Sequence, residues 1–194
     1  MRRIRALGLG FALLGVSCPL HAQTKYPGVD AVFPLAVTRG QATEVEVRTN
    51  GDVQTAYAAL VGSTNVRAEV VPRSEERKIP NQNAIVRIEP AADAPVGPCD
   101  LRLAARQAIT TVCRIYITDL PAANESDDHG TIEKSQPIEI PSVMNGIVRA
   151  NVETDWYRFE GKKGERLSFE VLGTRLHETI HKVGRFTPHF DPFL

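Results

Sequence analysis

Cys99-Asp100-Leu101-Arg102-Leu103-Ala104 and Thr111-Val112-Cys113-Arg114-Ile115-Tyr116-Ile117 are the two runs on which the fold turns. In the first, Cys99, Leu101 and Leu103 alternate with Asp100 and Arg102. In the second, Cys113, Ile115 and Ile117 alternate with Arg114 and Tyr116. Side chains two apart along an extended chain share a face, so each run reads as a half-buried strand. Folded back around Arg106, the runs make a hairpin with Cys99 opposite Cys113, Leu101 opposite Thr111 and Leu103 opposite Ile109. That register predicts a Cys99–Cys113 disulfide, which would stabilise by about 3 kcal/mol on the loop-closure model. Two free buried thiols are the alternative. Redox chemistry would need an exposed, low-pKa thiol, usually in a Cys-x-x-Cys setting, and this spacing does not provide one.

Working back from the hairpin, the same short pattern recurs. Val29–Phe33, Thr43–Arg48, Thr55–Leu60, Val66–Val71 and Ala84–Glu89 are rich in β-branched residues. Turn signals separate them: Arg39-Gly40-Gln41, Asn50-Gly51-Asp52, Gly62-Ser63 and the polar stretch Pro72–Asn83. Short strands between turns, with no sustained helical period, predict an antiparallel sandwich over residues 28–118.

At the start of the chain stands Met1-Arg2-Arg3-Ile4-Arg5, then an apolar run from Ala6 to Ser17, then Leu20-His21-Ala22-Gln23. A positive head, a short apolar run and a small residue at the cut are the parts of a secretory signal. The expected signal is residues 1–22, cleaved after Ala22, with lipid attachment at Cys18 as the rival. The run is too short to span a bilayer, and no later segment is apolar enough. Export places the chain in the periplasm, at the cell surface or in the medium, where disulfides can form.

The chain has 194 residues, with 23 Lys+Arg and 23 Asp+Glu. Such a balance argues against a nucleic-acid binder held by phosphate neutralisation. At 42% hydrophobic, there is enough apolar material for a core.

Forward of the hairpin, Asp119-Leu120-Pro121 closes the first unit. The polar, acidic run 119–136 reads as a linker. Strand signals return at Ile138–Ile140, Gly146–Val152 and Asp155-Trp156-Tyr157-Arg158-Phe159-Glu160. Gly161-Lys162-Lys163-Gly164 is a solvated turn. In Glu165–Leu172, Leu167, Phe169 and Val171 share a face opposite Arg166, Ser168 and Glu170, predicting a half-buried hairpin. Trp156 and Tyr157 read as packing residues, and His129 as a solvated loop residue.

Two resemblances follow. Val32-Phe33-Pro34-Leu35, Arg39-Gly40-Gln41, Ala94-Pro95-Val96-Gly97 and Asp100-Leu101-Arg102-Leu103 resemble the immunoglobulin-like domain that precedes pre-peptidase C-terminal modules in exported bacterial proteins. Ile140-Pro141, Asn145-Gly146-Ile147, Asp155-Trp156-Tyr157-Arg158-Phe159, Lys163-Gly164-Glu165 and Phe169-Glu170-Val171 resemble the pre-peptidase C-terminal domain itself. That family is a small β-sandwich found beside secreted proteases and other exported enzymes. The resemblance implies an all-β protein of two antiparallel sandwiches. The second is a partial jelly-roll-like one over 137–194, because the family continues with further strands past Phe190-Asp191-Pro192-Phe193-Leu194. The chain is therefore expected to be a fragment or to borrow strands from a partner.

Some members of the family bind calcium through an acidic segment that opens the domain. Glu125, Asp127, Asp128 and, across the fold, Asp155 are the matching candidates, against the plain reading of a solvated acidic linker. Calcium takes six to eight oxygen ligands, so these would supply part of a shell. A different chemistry is spelled by His177-Glu178-Thr179-Ile180-His181, the H-E-x-x-H pattern. On a helix, His177 and His181 would bind zinc and Glu178 would activate water. Here the segment follows a strand, and Thr187 stands where a third histidine belongs. A polar inter-strand segment is the stronger reading, and zinc the weaker. No Gly-x-Ser-x-Gly elbow or phosphate-binding loop occurs.

The functional expectation is a non-catalytic exported module, without a required cofactor. Its partners would be a secreted hydrolase or peptidase, or an extracellular polymer. The alternatives are a zinc-dependent hydrolase and a structural cell-surface protein joined through an open sheet edge.

Overall fold

In a computed structural model, residues 26–126, 128–147 and 154–172 are described. The expected all-β character holds. Twelve strands and one 3-10 turn, Ile132–Lys134, make up the regular structure of the described residues. No helix among them is long and apolar enough to cross a membrane.

The first unit is a two-sheet sandwich. One sheet has the order β1 (Val29–Phe33), β3 (Thr43–Thr49), β6 (Asn83–Pro90), β5 (Val66–Val70), with antiparallel neighbours throughout. The other has the order β2 (Ala36–Thr38), β8 (Cys113–Thr118), β7 (Gly97–Ala105), β4 (Ala56–Val61). Here β7 is antiparallel to both neighbours, and β2 lies parallel to β8. The β2 strand follows Pro34 and is too short to show a period in sequence, so periodicity could not have found it.

Alternation explains the core. Val45 and Val47 of β3 and Val86 and Ile88 of β6 point inward from one sheet, and Leu101, Leu103, Ile115 and Ile117 from the other. All eight are at most 1% exposed. Completely burying side chains of this size contributes roughly 1.5–3 kcal/mol each.

The central hairpin departs from the expected register. Ala105 N–H donates to Ala108 O at 2.9 Å, so the turn sits on Arg106-Gln107. Leu103 and Thr110 then face each other, with Thr110 N–H on Leu103 O at 2.9 Å. Thr111 leaves the ladder: its N–H donates to Pro27 O at 3.0 Å, and its Oγ1 accepts from Val29 N–H at 3.0 Å. Beyond it, Cys113 pairs with Leu101, and Cys99 with Ile115. The cysteines are therefore diagonal neighbours rather than opposite ones, which separates Cα atoms by roughly 7–8 Å. Such a pair is beyond the normal disulfide span. The expected Cys99–Cys113 bond is thus corrected: both thiols are free and buried.

The stretch expected to be a linker carries structure. β9 (Ala122–Asn124) pairs in parallel with β11 (Val143–Asn145), and β10 (Gln136–Pro137) in parallel with β12 (Tyr157–Arg158). The strand expected at Ile138–Ile140 falls two residues earlier, on β10. Glu165–Leu172 forms no ladder with any described residue. Its turn is present, with Glu165 N–H on Lys162 O at 2.9 Å, and the Phe159 and Phe169 rings meet at 5.0 Å. Phe169 and Val171 nevertheless remain 44% exposed, where a half-buried face was expected.

Two side chains, Asn145 and Thr38, bind the second unit to the first. Asn145 Oδ1 accepts from Leu35 N–H at 3.1 Å and Ala36 N–H at 2.7 Å. Its Nδ2 donates to Ala36 O at 3.1 Å and Asn124 Oδ1 at 3.3 Å. Thr38 Oγ1 adds bonds to Leu120 O at 3.0 Å and from Ala122 N–H at 3.1 Å.

Candidate metal centre

Glu125 follows β9, His129 lies four residues on in the same loop, and Asp155 stands just before β12. Backbone bonds draw these segments together. Glu125 N–H donates to Asn145 O at 2.8 Å, extending the β9–β11 pairing by one residue. Trp156 N–H donates to His129 O at 2.9 Å, and Gln136 N–H to Trp156 O at 2.8 Å. The loop is thereby laid against the entry to β12.

The side chains converge as a result. His129 Nε2 lies 3.3 Å from Asp155 Oδ1 and 3.9 Å from Glu125 Oε2. The His129 side chain is 3% exposed, Glu125 1% and Asp155 19%. Glu125 is held from behind, because its Oε1 accepts Ile147 N–H at 2.9 Å. The His129 ring is held by Tyr157, with centroids 5.3 Å apart and planes tilted by 47°. Neither His129 ring nitrogen makes a hydrogen bond. Among the described residues, this is the one group of three His, Cys, Asp or Glu residues whose ligand atoms gather closely, all within 4.8 Å.

Of the four candidates for calcium, the structure unites Glu125 and Asp155. Asp128 is turned away to the surface, where both its carboxylate oxygens accept from Lys134 Nζ at 2.9 Å. Asp127 lies outside the described residues, as do His177, Glu178 and His181 of the H-E-x-x-H segment. His129 corrects the sequence reading most sharply: it is buried, not solvated. Its spacing of four from Glu125 was no guide, because that spacing puts two side chains on one face only in a helix and this stretch is a loop. Tyr157 packs as expected, its ring against His129.

The cysteines offer no second site. Burial pushes the Cys113 thiol up to about 12 and raises that of Cys99 as well, so neither is a thiolate near neutrality. A hollow of about 310 Å³ on the first sandwich is bordered by Val53, Tyr57, Val70, Arg73 and Ile79, and no acid or histidine lines it.

No protein-family model and no curated protein matches the chain. Among solved structures, the chain is similar to three pieces of the S-layer protein SbsC. Residues 31–844 of that protein match at 15% identity over 52% of this chain, with a TM-score of 0.31. Domains 4 and 5 match at 11% over 48% with 0.29, and domains 5–6 at 19% over 60% with 0.32. The chain spans 14%, 50% and 58% of those structures, respectively.

Proposed function

We propose that this is a non-catalytic exported β-protein that supports a secreted hydrolase or peptidase, or anchors to an extracellular polymer. One observation carries the reading. The gathered titratable side chains, Glu125, His129 and Asp155, lie inside the second unit, between its entry loop and the start of β12. A catalytic group must reach its substrate, usually in a concave cleft. Here the histidine and one carboxylate are almost wholly buried. The Arg2-Arg3-Ile4-Arg5 head with its apolar run supports export. The resemblance of Asp155–Phe159 and its flanking motifs to the pre-peptidase C-terminal domain supports a role beside secreted enzymes.

The test combines two assays on protein isolated from its producer. Hydrolysis of casein and of chromogenic esters is measured alongside co-sedimentation with chitin, cellulose and peptidoglycan and co-purification of exported enzymes. The expected result is no turnover, with retention on a polymer or on an enzyme. Turnover that disappears in Glu178→Gln would overturn the reading in favour of a hydrolase.

A further inference from the structure

We propose that Glu125, His129 and Asp155 bind one first-row transition-metal dication of the zinc class, in preference to calcium, and that the ion clasps the entry loop of the second unit to β12. The inference does not depend on whether the chain serves an enzyme or a polymer.

The first argument is charge. Glu125 and Asp155 place two carboxylates beside an imidazole, with the Glu125 side chain only 1% exposed. A divalent cation placed beside both carboxylates would attract each of them, and the attraction is stronger in a buried site than in water.

The second argument is the histidine. A buried imidazole normally has its ring nitrogens hydrogen-bonded. His129 has neither bonded, although Nε2 faces two carboxylates at 3.3 and 3.9 Å. A ring nitrogen that lies near two carboxylate oxygens without a hydrogen bond to either fits the spacing of ligands around a shared ion. Zinc binds nitrogen and oxygen at about 2.0–2.2 Å, which puts tetrahedral neighbours about 3.4 Å apart. The Asp155 distance fits that, and Glu125 needs to close by about half an ångström.

The third argument is ligand type. Calcium prefers a shell of oxygens, and imidazole suits zinc, copper, nickel and iron. Asp128, which would have added oxygens, is paired with Lys134 instead. Surrounding contacts also resemble the outer shell of a metal site. Ile147 N–H fixes Glu125, Tyr157 fixes the imidazole ring, and Gly146 leaves the carboxylate its space: a Cβ there would lie 2.7 Å from Glu125 Oε2.

The experiment is a calorimetric titration of the chelator-stripped protein with Zn²⁺, with and without millimolar Ca²⁺. The expected result is one Zn²⁺ per chain and little competition from calcium. His129→Asn should weaken binding by about 100-fold or more, since outer-shell changes alone cost about 10–100-fold. The triple variant His177→Ala/His181→Ala/His189→Ala, which removes both histidines of the H-E-x-x-H segment and the one that follows them in the sequence, should keep the site. Zinc lost in that triple variant and kept in His129→Asn would overturn the proposal and reopen the hydrolase reading. Displacement by calcium, or no zinc uptake, would overturn it too. A readout on the unaltered protein covers the case of a variant that fails to fold. Zinc should shift the His129 ring-nitrogen NMR signals, and unshifted signals at saturation would sink the proposal.

Discussion

At position 146 there is room for a hydrogen and nothing more. A Cβ on Gly146 would meet Glu125 Oε2 at 2.7 Å and the Tyr157 hydroxyl at 3.5 Å. Glu125 cannot simply swing aside, because Ile147 N–H holds its other oxygen and its own N–H is bound to Asn145 O. In Gly146→Ala the carboxylate must therefore leave the face it shares with His129. The expected outcome is a zinc affinity lower by at least about tenfold and a fold weaker by about 1–3 kcal/mol from overpacking. Zinc titration and urea unfolding read the two effects. An unchanged zinc affinity would show that Glu125 is not a ligand. Little of this was legible in the sequence. The acids suggested a cation, and Glu125 and Asp155 were found by resemblance. His129 was missed because a histidine in a polar, acidic run carries no mark of burial. Its burial comes from Tyr157 and Asp155, which the strand pairing brings in from far along the chain.

The β7–β8 hairpin shows what alternation can and cannot specify. Shifting a strand by one residue turns every side chain to the other face, so the apolar pattern forbids it. A shift of two keeps every side chain on its own face, and the pattern does not discriminate. The inward residues were therefore legible, whereas the Cys99–Cys113 pairing was not. The deciding contact is Thr111, between the hairpin turn and β8, which bonds Pro27 and Val29 at the start of β1. Because the thiols are diagonal and buried, protein unfolded without reductant should have Cys99 and Cys113 both alkylated. A product two daltons light, with neither modified, would instead place them directly opposite. The same burial gives a pH dependence. An exposed cysteine in the unfolded chain ionises around its ordinary value of 9.0, whereas Cys113 stays protonated up to about 12. Between these values the unfolded state binds fewer protons, so stability falls as pH rises from about 9 to about 12. Below 9 this contribution is complete. Cys113→Val should flatten part of that decline, and matching alkaline urea midpoints for the two proteins would refute it.

Across the whole molecule, the question is whether the two units fold as one. The first has two four-stranded sheets over a continuous apolar core. The second, in its described residues, has two pairs of strands two or three residues long. Two-stranded pairings are marginal at best on their own. The described part of the second unit draws stability from the first, and the path is visible: Asn145 bonds both N–H and C=O of Ala36, and Thr38 bonds the chain at Leu120 and Ala122. Asn145 is 5% exposed, so losing its amide leaves buried backbone groups unsatisfied. That costs about 1–3 kcal/mol per group. The single tryptophan, Trp156, lies in the second unit, whereas most described strand residues lie in the first. Fluorescence and far-UV circular dichroism thus report different units. In the unaltered protein the two urea transitions should coincide, as for one cooperative body. In Asn145→Ala the fluorescence transition should move to lower urea ahead of the dichroism transition. Zinc should pull it back toward coincidence if the clasp at Glu125, His129 and Asp155 stabilises the second unit from within. Separate transitions before any substitution would mean that the units are already independent, and that Asn145 joins their surfaces without coupling their stability.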